Sequence, residues 1–254
     1  MALAPHADPF ESEGTTDSSG RRIGVLLSHG FTGSPASIVP WGQSLAQHGY
    51  AVSVPLLPGH GTTWQDMCTT TYDDYSTALE QAFEKLAARS DAVVVGGLSM
   101  GGCLALELAE KRTDVAGLVL VNPVVRSTNK QLLALPVLKH LVKAMPAIGD
   151  DIKKPGVSEH AYTKTPLKPL HSLVRAWPRI RADLPKVTAP LLLFRSADDH
   201  VVDPSSAPVI LGEVSSTDVT ERVLQESFHV ATLDNDAPQI FEESADFIRR
   251  VTAP

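Results

Sequence analysis

The sequence predicts an α/β protein in which helices wind around both faces of a mostly parallel sheet, with one helical insertion. Three observations support this fold class. The 254 residues are 43% hydrophobic and 20% charged, which is typical of a globular chain with a sizeable core. After a polar stretch that ends near Gly20, short β-rich apolar runs alternate with longer helical patterns, as in repeated βαβ units. The alternation stops between Val124 and Pro185.

Each predicted element follows from the spacing of its apolar residues. Six short runs have a continuous apolar or β-rich character, so we predict strands that are buried on both faces of the sheet. Between them, apolar residues recur every three or four positions, which predicts helices; one such face is Tyr75, Leu79, Ala82, Phe83 and Leu86. In chain order the predicted elements are the strand Ile23–Leu27, the helix Pro35–His48, the strand Ala51–Val54, the helix Tyr72–Ala88, the strand Ala92–Val95, the helix Gly101–Lys111, the strands Leu118–Val121, Leu191–Phe194 and Thr220–Leu224, and the helix Pro238–Val251.

The segment Val124–Pro185 is predicted to be an insertion between two strands, because it is far longer than an ordinary crossover. Six prolines before Pro185 punctuate its helical apolar runs. It contains eleven cationic and four anionic side chains, so its formal charge is +7, whereas the rest of the chain carries −14. We expect a single domain over residues 1–254, with residues 124–185 as an insertion within it.

Charge, cysteine content and the amino terminus limit the expected partners and location. The formal charge of −7 repels a phosphate backbone, so we expect no nucleic-acid partner. Cys68 and Cys103 are too few for a disulfide framework or a four-ligand zinc site, and we expect two buried thiols and no metal. Pro5 and Asp8 break the short apolar start, which does not resemble a secretory signal, and no apolar run approaches the roughly 18 residues of a membrane span. These features predict a cytoplasmic protein without a transmembrane segment.

One short motif indicates nucleophilic chemistry. Gly97-Leu98-Ser99-Met100-Gly101 matches the pattern G-x-S-x-G, and it stands directly after a predicted strand and directly before a predicted helix. A tight turn between such elements presents the Ser99 hydroxyl at the carboxyl edge of the sheet, and the flanking glycines let the strand and helix approach closely. The alternative interpretation is a glycine- and serine-containing turn without chemistry.

A serine nucleophile needs a histidine base and an acid that orients it, and in this fold class both follow the serine in the chain. Only His200 and His229 follow Ser99 outside the insertion. His200 is adjacent to the candidate acids, and neighbouring side chains diverge, so His229 is the predicted base. Asp198 or Asp199 could each be the acid, because both follow the strand Leu191–Phe194. A third aspartate, Asp203, is predicted to be the N-cap of a helix that Pro204 opens.

The oxyanion that forms during acyl transfer requires two preorganised donors. The backbone N–H of Phe31, in a His-Gly segment after the first long strand, is predicted to supply one donor. The N–H of Met100, the residue after the nucleophile, is predicted to supply the other.

Several segments together resemble the bacterial monoacylglycerol lipases and related small carboxylesterases of the α/β-hydrolase superfamily. The resemblance extends over nearly the whole chain from Pro9 onward. It implies an α/β-hydrolase fold, a catalytic triad of Ser99, Asp199 and His229, and no cofactor. Asp199 is favoured over Asp198 because Val202 completes the D-x-x-V turn of the family. The segments are His29–Gly33, Pro58–Thr62, Gly97–Gly102, Ala161–Pro166, Asp199–Val202 and His229–Asp234.

The resemblance also implies that residues 124–185 form a cap over the site and that the substrates are esters of short or medium acyl chains, with monoacylglycerols as a good candidate. Glu159 is a candidate for binding substrate hydroxyls from the cap, with a salt bridge inside the cationic stretch as the alternative. His60 could line the site or make a structural hydrogen bond. Cys103 is interpreted as a small buried filler.

Other functions stay open at this point. The same fold hosts thioesterases and carbon–carbon hydrolases, and a ligand-binding or interaction protein could use a hydrolase scaffold. The +7 insertion also carries leucine-rich runs, including Leu132, Leu133, Leu135, Leu138 and Leu141. We expect this face to make transient contact with lipid interfaces, and the alternative is that its lysines serve solubility alone.

Overall fold

The computed structural model describes residues 3–254. Within these residues, nine strands lie in two sheets: β1 (Phe10–Ser12), β2 (Ile23–Ser28), β3 (Ala51–Val54), β4 (Ala92–Leu98), β5 (Val115–Val121), β6 (Ala144–Pro146), β7 (Lys164–Pro166), β8 (Leu191–Ser196) and β9 (Val219–Leu224). The α-helices are α1 (Val39–Gln47), α2 (Trp64–Met67), α3 (Tyr72–Ala87), α4 (Met100–Lys111), α5 (Leu135–Leu141), α6 (Leu167–Asp183), α7 (Ser206–Glu213) and α8 (Ala237–Val251). No helix within residues 3–254 is both long enough and apolar enough to cross a membrane.

The main sheet has seven strands in the order β1-β3-β2-β4-β5-β8-β9. Neighbouring strands are parallel except at β1, which pairs antiparallel with β3. All six predicted strands are present, so the predicted fold class is confirmed. The sequence did not predict β1 or the small antiparallel pair of β6 and β7, and each of these strands has only three residues.

The sheet is buried on both faces at its centre. Alternate residues of one strand enter opposite layers: Val93 and Val95 pack with α3 and α4, whereas Val94 packs with α1 and α8. The edge strand β9 differs, because only Leu224 of its six residues is buried. The prediction that all six strands are buried on both faces is therefore wrong for β9, whose Thr-Glu-Arg run is amphipathic rather than continuously apolar.

The predicted helices are confirmed with shifted boundaries. In α3, Tyr75, Leu79, Phe83 and Leu86 are buried as the spacing predicts. The prediction that Cys68 is buried is wrong, because this residue is only half-buried. A second prediction, for Asp203, is also wrong.

Asp203 is not the N-cap of a helix at Pro204, because α7 begins only at Ser206. Instead, its carboxylate accepts hydrogen bonds from the N–H groups of Ser205 at 2.9 Å and Thr128 at 2.8 Å. It therefore fastens the turn before α7 to the start of the insertion.

The insertion between β5 and β8 contains α5, the pair of β6 and β7, and α6. Its last helix belongs to the main core, since Leu173, Trp177 and Ile180 are buried in the same cluster as residues of α3 and α4. Its earlier part is more open: Leu133, Val137 and Leu141 are exposed.

Candidate active site

Ser99 lies between β4 and α4 in a conformation that a serine rarely adopts. Its φ is 57° and its ψ is −116°. A Cβ at Gly97 would overlap the backbone of Gly101, and a Cβ at Gly101 would overlap the carbonyl of Ser28. Both glycines are therefore needed for the strand, the turn and the helix to approach so closely. The result is a strained turn that holds Ser99 at the carboxyl edge of the sheet.

His229 and Asp199 are brought together from two loops at this same edge. The Nδ1 of His229 lies 2.8 Å from Oδ2 of Asp199, and the two side chains are only 8% and 11% exposed. The other oxygen, Oδ1, accepts the N–H groups of Val201 and Val202, each at 2.8 Å. Asp198 is 69% exposed and contacts His200 instead. Of the two candidate acids, the structure places Asp199 against His229.

The electrostatics of this pair favour a charged acid. Burial raises the pKa of Asp199, but the hydrogen bond and charge of His229 and the N–H groups of Val202 and Val201 outweigh it and lower the pKa below the ordinary value. For His229, burial lowers the pKa, whereas Asp199, Glu159 and Asp151 raise it, and the net pKa is raised. Because an ionised carboxylate only accepts hydrogen bonds, Nδ1 carries a proton and Nε2 is the nitrogen left for Ser99.

A buried polar network supports the loop that carries His229. The amide nitrogen of Asn122, the residue after β5, donates to the carbonyl of His229 at 2.8 Å and to the hydroxyl of Ser196 at 2.9 Å. The Ser196 hydroxyl in turn donates to the carbonyl of Phe228 at 2.8 Å. Sequence reasoning missed Asn122, although its place directly after a predicted strand is a signal that could have found it.

Both residues predicted to supply the oxyanion donors lie close to Ser99. Met100 is the first residue of α4, so its N–H has no acceptor within the helix. Phe31 follows β2 and lines the same cavity as Ser99. A Cβ built on Gly30 would lie 3.4 Å from Cβ of Ser99, so the backbone before Phe31 passes close to the serine.

Ser99 and His229 open into a cavity of about 570 Å³ between the sheet edge and the insertion. This volume is within the range of small-molecule sites. The residues that the insertion contributes to the cavity wall are mostly apolar. Glu159 adds a carboxylate to this wall. The larger apolar side chains from the insertion are Leu132, Leu135, Leu138, Met145, Ile148, Leu167 and Leu170.

Glu159 is one of the two predicted binding residues, and it lines this cavity. Among residues 3–254 it makes no salt bridge, which argues against the alternative interpretation. Its Oε1 accepts the N–H of Asp150 at 3.3 Å, and burial raises the pKa of its carboxyl group.

His60, the other predicted binding residue, does not line the cavity, so its assignment to substrate binding is not supported. It is buried with its ring edge-on to those of His29, Phe31 and Tyr75. Its Nδ1 donates to the carbonyl of Pro58 at 3.0 Å, which is the structural hydrogen bond of the alternative interpretation. Cys103 is buried as predicted, and burial raises the pKa of its thiol.

A mostly parallel sheet with a serine on a strained turn after its fourth strand defines the class: this is a hydrolase of the α/β-hydrolase superfamily. Comparisons with known proteins agree. A family model described as "Serine aminopeptidase, S33" matches residues 20–236. The chain therefore belongs to this family.

Individual relatives are esterases and lipases. The chain is 39% identical to a protein of Bacillus sp. strain H-257 named "Thermostable monoacylglycerol lipase", over 96% of this chain and 95% of the relative. It is 25% identical to a "Carboxylesterase" of Bacillus subtilis strain 168, over 89% and 92%. A solved structure from work on LipS and LipT, two metagenome-derived lipolytic enzymes, superposes with a TM-score of 0.93 at 38% identity, covering 98% of this chain and 100% of that one. The protein is a serine hydrolase that cleaves esters.

Proposed function

We propose that the protein hydrolyses monoacylglycerols of short to medium acyl chains through an acyl-enzyme, with Ser99 as nucleophile, His229 as base and Asp199 as acid. The observation that carries the proposal is the buried 2.8 Å contact between His229 and Asp199 at a cavity that also contains Ser99. A solvated histidine with no acid would have neither a fixed tautomer nor a stabilised imidazolium.

The reaction follows from these positions. Nε2 of His229 takes the proton of Ser99 Oγ as this oxygen attacks the ester carbonyl carbon, and the N–H groups of Phe31 and Met100 stabilise the resulting oxyanion. The bond to the leaving alcohol then breaks, and the alcohol takes the proton from His229. A water molecule, deprotonated by His229, attacks the acyl-enzyme, and release of the fatty acid restores the Ser99 hydroxyl.

Glu159 supports a glycerol ester in particular. The apolar wall suits an acyl chain, and a carboxylate at the same cavity provides an acceptor for the free hydroxyls of a glycerol leaving group. The name of the relative at 39% identity favours the same substrate class.

A fluorophosphonate probe and a matched pair of esters test the proposal. Ser99→Ala should abolish covalent labelling and hydrolysis. Glu159→Gln should lower kcat/KM for a monoacylglycerol about tenfold, because hydrogen bonds to charged groups are stronger by roughly 1 kcal/mol or more, and it should spare the methyl ester of the same acid. pH profiles of kcat/KM on both esters separate the loss of the Glu159 acceptor from a change in the pKa of His229, which the Glu159 charge raises. Labelling of Ser99→Ala would overturn the triad, and equal losses on both esters would overturn the role of Glu159.

Three further proposals concern the insertion and the location of the protein. We propose that residues 124–185 act as a cap within one domain, that the exposed apolar residues of the insertion meet lipid surfaces, and that the protein works in the cytoplasm. The family match and the esterase and lipase relatives argue against a non-catalytic binding protein on this scaffold, and the labelling experiment tests that alternative directly.

A further inference from the structure

Asp151 is the point at which the insertion meets both loops of the proposed triad. Its side chain is 11% exposed. Oδ2 accepts the backbone N–H of His229 at 3.1 Å and that of His200 at 3.2 Å. Oδ1 lies 2.7 Å from Nδ1 of His200. Because His200 directly follows Asp199, the Asp151 carboxylate holds the backbone both at the proposed base, His229, and next to the proposed acid.

Further hydrogen bonds join this part of the insertion to the loop that carries His229. The N–H of Val230 donates to the carbonyl of Asp151 at 3.1 Å. From the other side, the buried Asp234 accepts the N–H groups of Lys153 at 2.6 Å and Lys154 at 2.9 Å, and also that of Phe228 at 2.9 Å. Two aspartates therefore join residues 151–154 of the insertion to residues 228–234, the loop that carries His229.

We propose that Asp151 is a positioning residue for ester hydrolysis: its carboxylate sets the placement of Asp199 relative to His229 and makes the reaction depend on how the insertion sits over the sheet. The inference rests on the proposed triad. Asp151 touches no reacting atom and acts through the backbone at residues 200 and 229.

A carboxylate suits this position better than an amide. Three donors converge on its two oxygens, and an ionised carboxylate can accept all of them. An asparagine has a single acceptor oxygen, so it could keep both backbone N–H groups only if its amide nitrogen faced Nδ1 of His200, which would require the other tautomer of that imidazole. Catalysis is sensitive to such displacements, because a misplacement of about 1 Å can lower a rate about 100-fold.

The carboxylate also places a negative charge near the imidazole. The charged groups that face His229 are Asp199, Glu159 and Asp151, and His200 faces Asp151, Asp198 and Asp199. Burial lowers the pKa of His229, and the three carboxylates raise it. Removing the Asp151 charge should lower that pKa, so the acid limb of kcat/KM should move to lower pH, because the base works in its neutral form.

The test measures pH profiles on a soluble short-chain ester. Asp151→Asn should lower kcat about 10- to 100-fold, change KM much less, and move the acid limb to lower pH. Asp151→Glu keeps the charge but moves the oxygens, so kcat should fall while the acid limb stays in place. This second variant is also informative if Asp151→Asn does not fold.

Two controls separate positioning from simple docking of the insertion. Asp234→Asn weakens the same junction but keeps the Asp151 charge, so it should lower Tm without shifting the acid limb. His200→Ala keeps the backbone N–H that Asp151 binds and should retain most of kcat. Wild-type kcat with an unshifted acid limb in Asp151→Asn would overturn the proposal, and so would identical profiles for Asp151→Asn and Asp234→Asn. A kcat near that of the wild type for Asp199→Asn, assayed in parallel, would instead overturn the triad itself.

Discussion

The three buried histidines near the carboxyl edge of the sheet differ in what their ring nitrogens contact. His29 donates from Nδ1 to the carbonyl of Gly30 and accepts the N–H of Leu57 at Nε2, and burial lowers its pKa to about 4. Burial, together with the nearby His29, also lowers the pKa of His60. His229 alone among these three contacts a carboxylate, and its pKa is raised. The local chemistry thus favours His229 as the proposed base, independently of chain order.

The two adjacent aspartates should differ sharply in their effect on rate. Asp199→Asn removes the charge opposite Nδ1 of His229 and favours the wrong tautomer, so kcat should fall about 10³- to 10⁴-fold, as in serine proteases with the equivalent change. Asp198→Asn changes an exposed side chain and should leave kcat nearly unchanged. Steady-state kinetics on a soluble ester measures both. The reverse ranking would assign the acid to Asp198, and near-wild-type rates in both variants would exclude this loop from the mechanism.

Residues that stand in a sequence motif were predicted, whereas residues whose role depends on their contacts in the fold were not. Ser99 stands in a pattern whose glycines are required by close backbone contact. Asn122 and Asp151 have no such pattern, because their roles depend on hydrogen bonds to loops that lie 107 and 78 residues away in the chain. His60 stands in a glycine-rich turn like those of binding sites, yet its ring is turned into the core.

At the scale of elements, helix α4 does more than position Ser99. Its last turns carry Glu107 and Glu110 against α6. The carboxylate of Glu107 contacts Arg179 at 2.9 Å and Lys111 at 3.3 Å. Oε1 of Glu110 is buried and has no hydrogen-bond partner in the part of the chain that the structure describes. Burial, followed by the charges of Glu107 and Asp183, raises the pKa of Glu110 to about 8.

This buried carboxyl group should make stability fall with rising pH. A folded-state pKa above the ordinary 4.5 means that the native state binds the proton more tightly, so the stabilisation is complete below pH 4.5 and is lost as pH rises through about 8. Glu110→Gln removes this titration. The variant should have a higher Tm than the wild type at pH 9, with a smaller difference at pH 5. A Tm difference that is equal at both pH values would show that Glu110 is already ionised in the native protein.

The most buried strands were the ones that the sequence predicted best. Central strands such as β5 are continuously apolar because both faces are covered, so composition alone identified them. The sequence predicted strand β9 but not its exposure to solvent. An edge strand pairs with a single neighbour, so β9 tolerates Glu221 and Arg222. Strands β6 and β7 depend on pairing with each other inside the insertion, and three residues are too short for a periodic signal.

At the scale of the whole molecule, the +7 charge of the insertion is not uniformly available. Lys153 pairs with Glu226 at 2.8 Å, Arg179 with Glu107 at 2.9 Å, and Arg181 with Glu213 at 3.3 Å. These ion pairs join the insertion to acidic residues of the main body. Lys143 is exposed next to Val142, which is 41% exposed, and near the end of α5, where Leu141 is 76% exposed. Cations and apolar side chains therefore share one surface around α5.

That surface predicts a salt-sensitive attraction to anionic lipid. Each lysine near an anionic bilayer contributes about 1 kcal/mol, so Lys143→Gln should weaken binding to anionic vesicles about fivefold. Lys85→Gln is the matched control: it removes one exposed charge near the carboxyl end of α3, at the opposite end of the sheet, and should leave binding unchanged. Vesicle sedimentation across a salt series measures both variants. Binding should weaken between 0.1 M and 1 M salt, because the Debye length falls from about 10 Å to about 3 Å. Hydrolysis of a soluble short-chain ester should be the same in both, since neither lysine lines the cavity. Equal affinity of the wild type for anionic and neutral vesicles would leave solubility as the role of these charges.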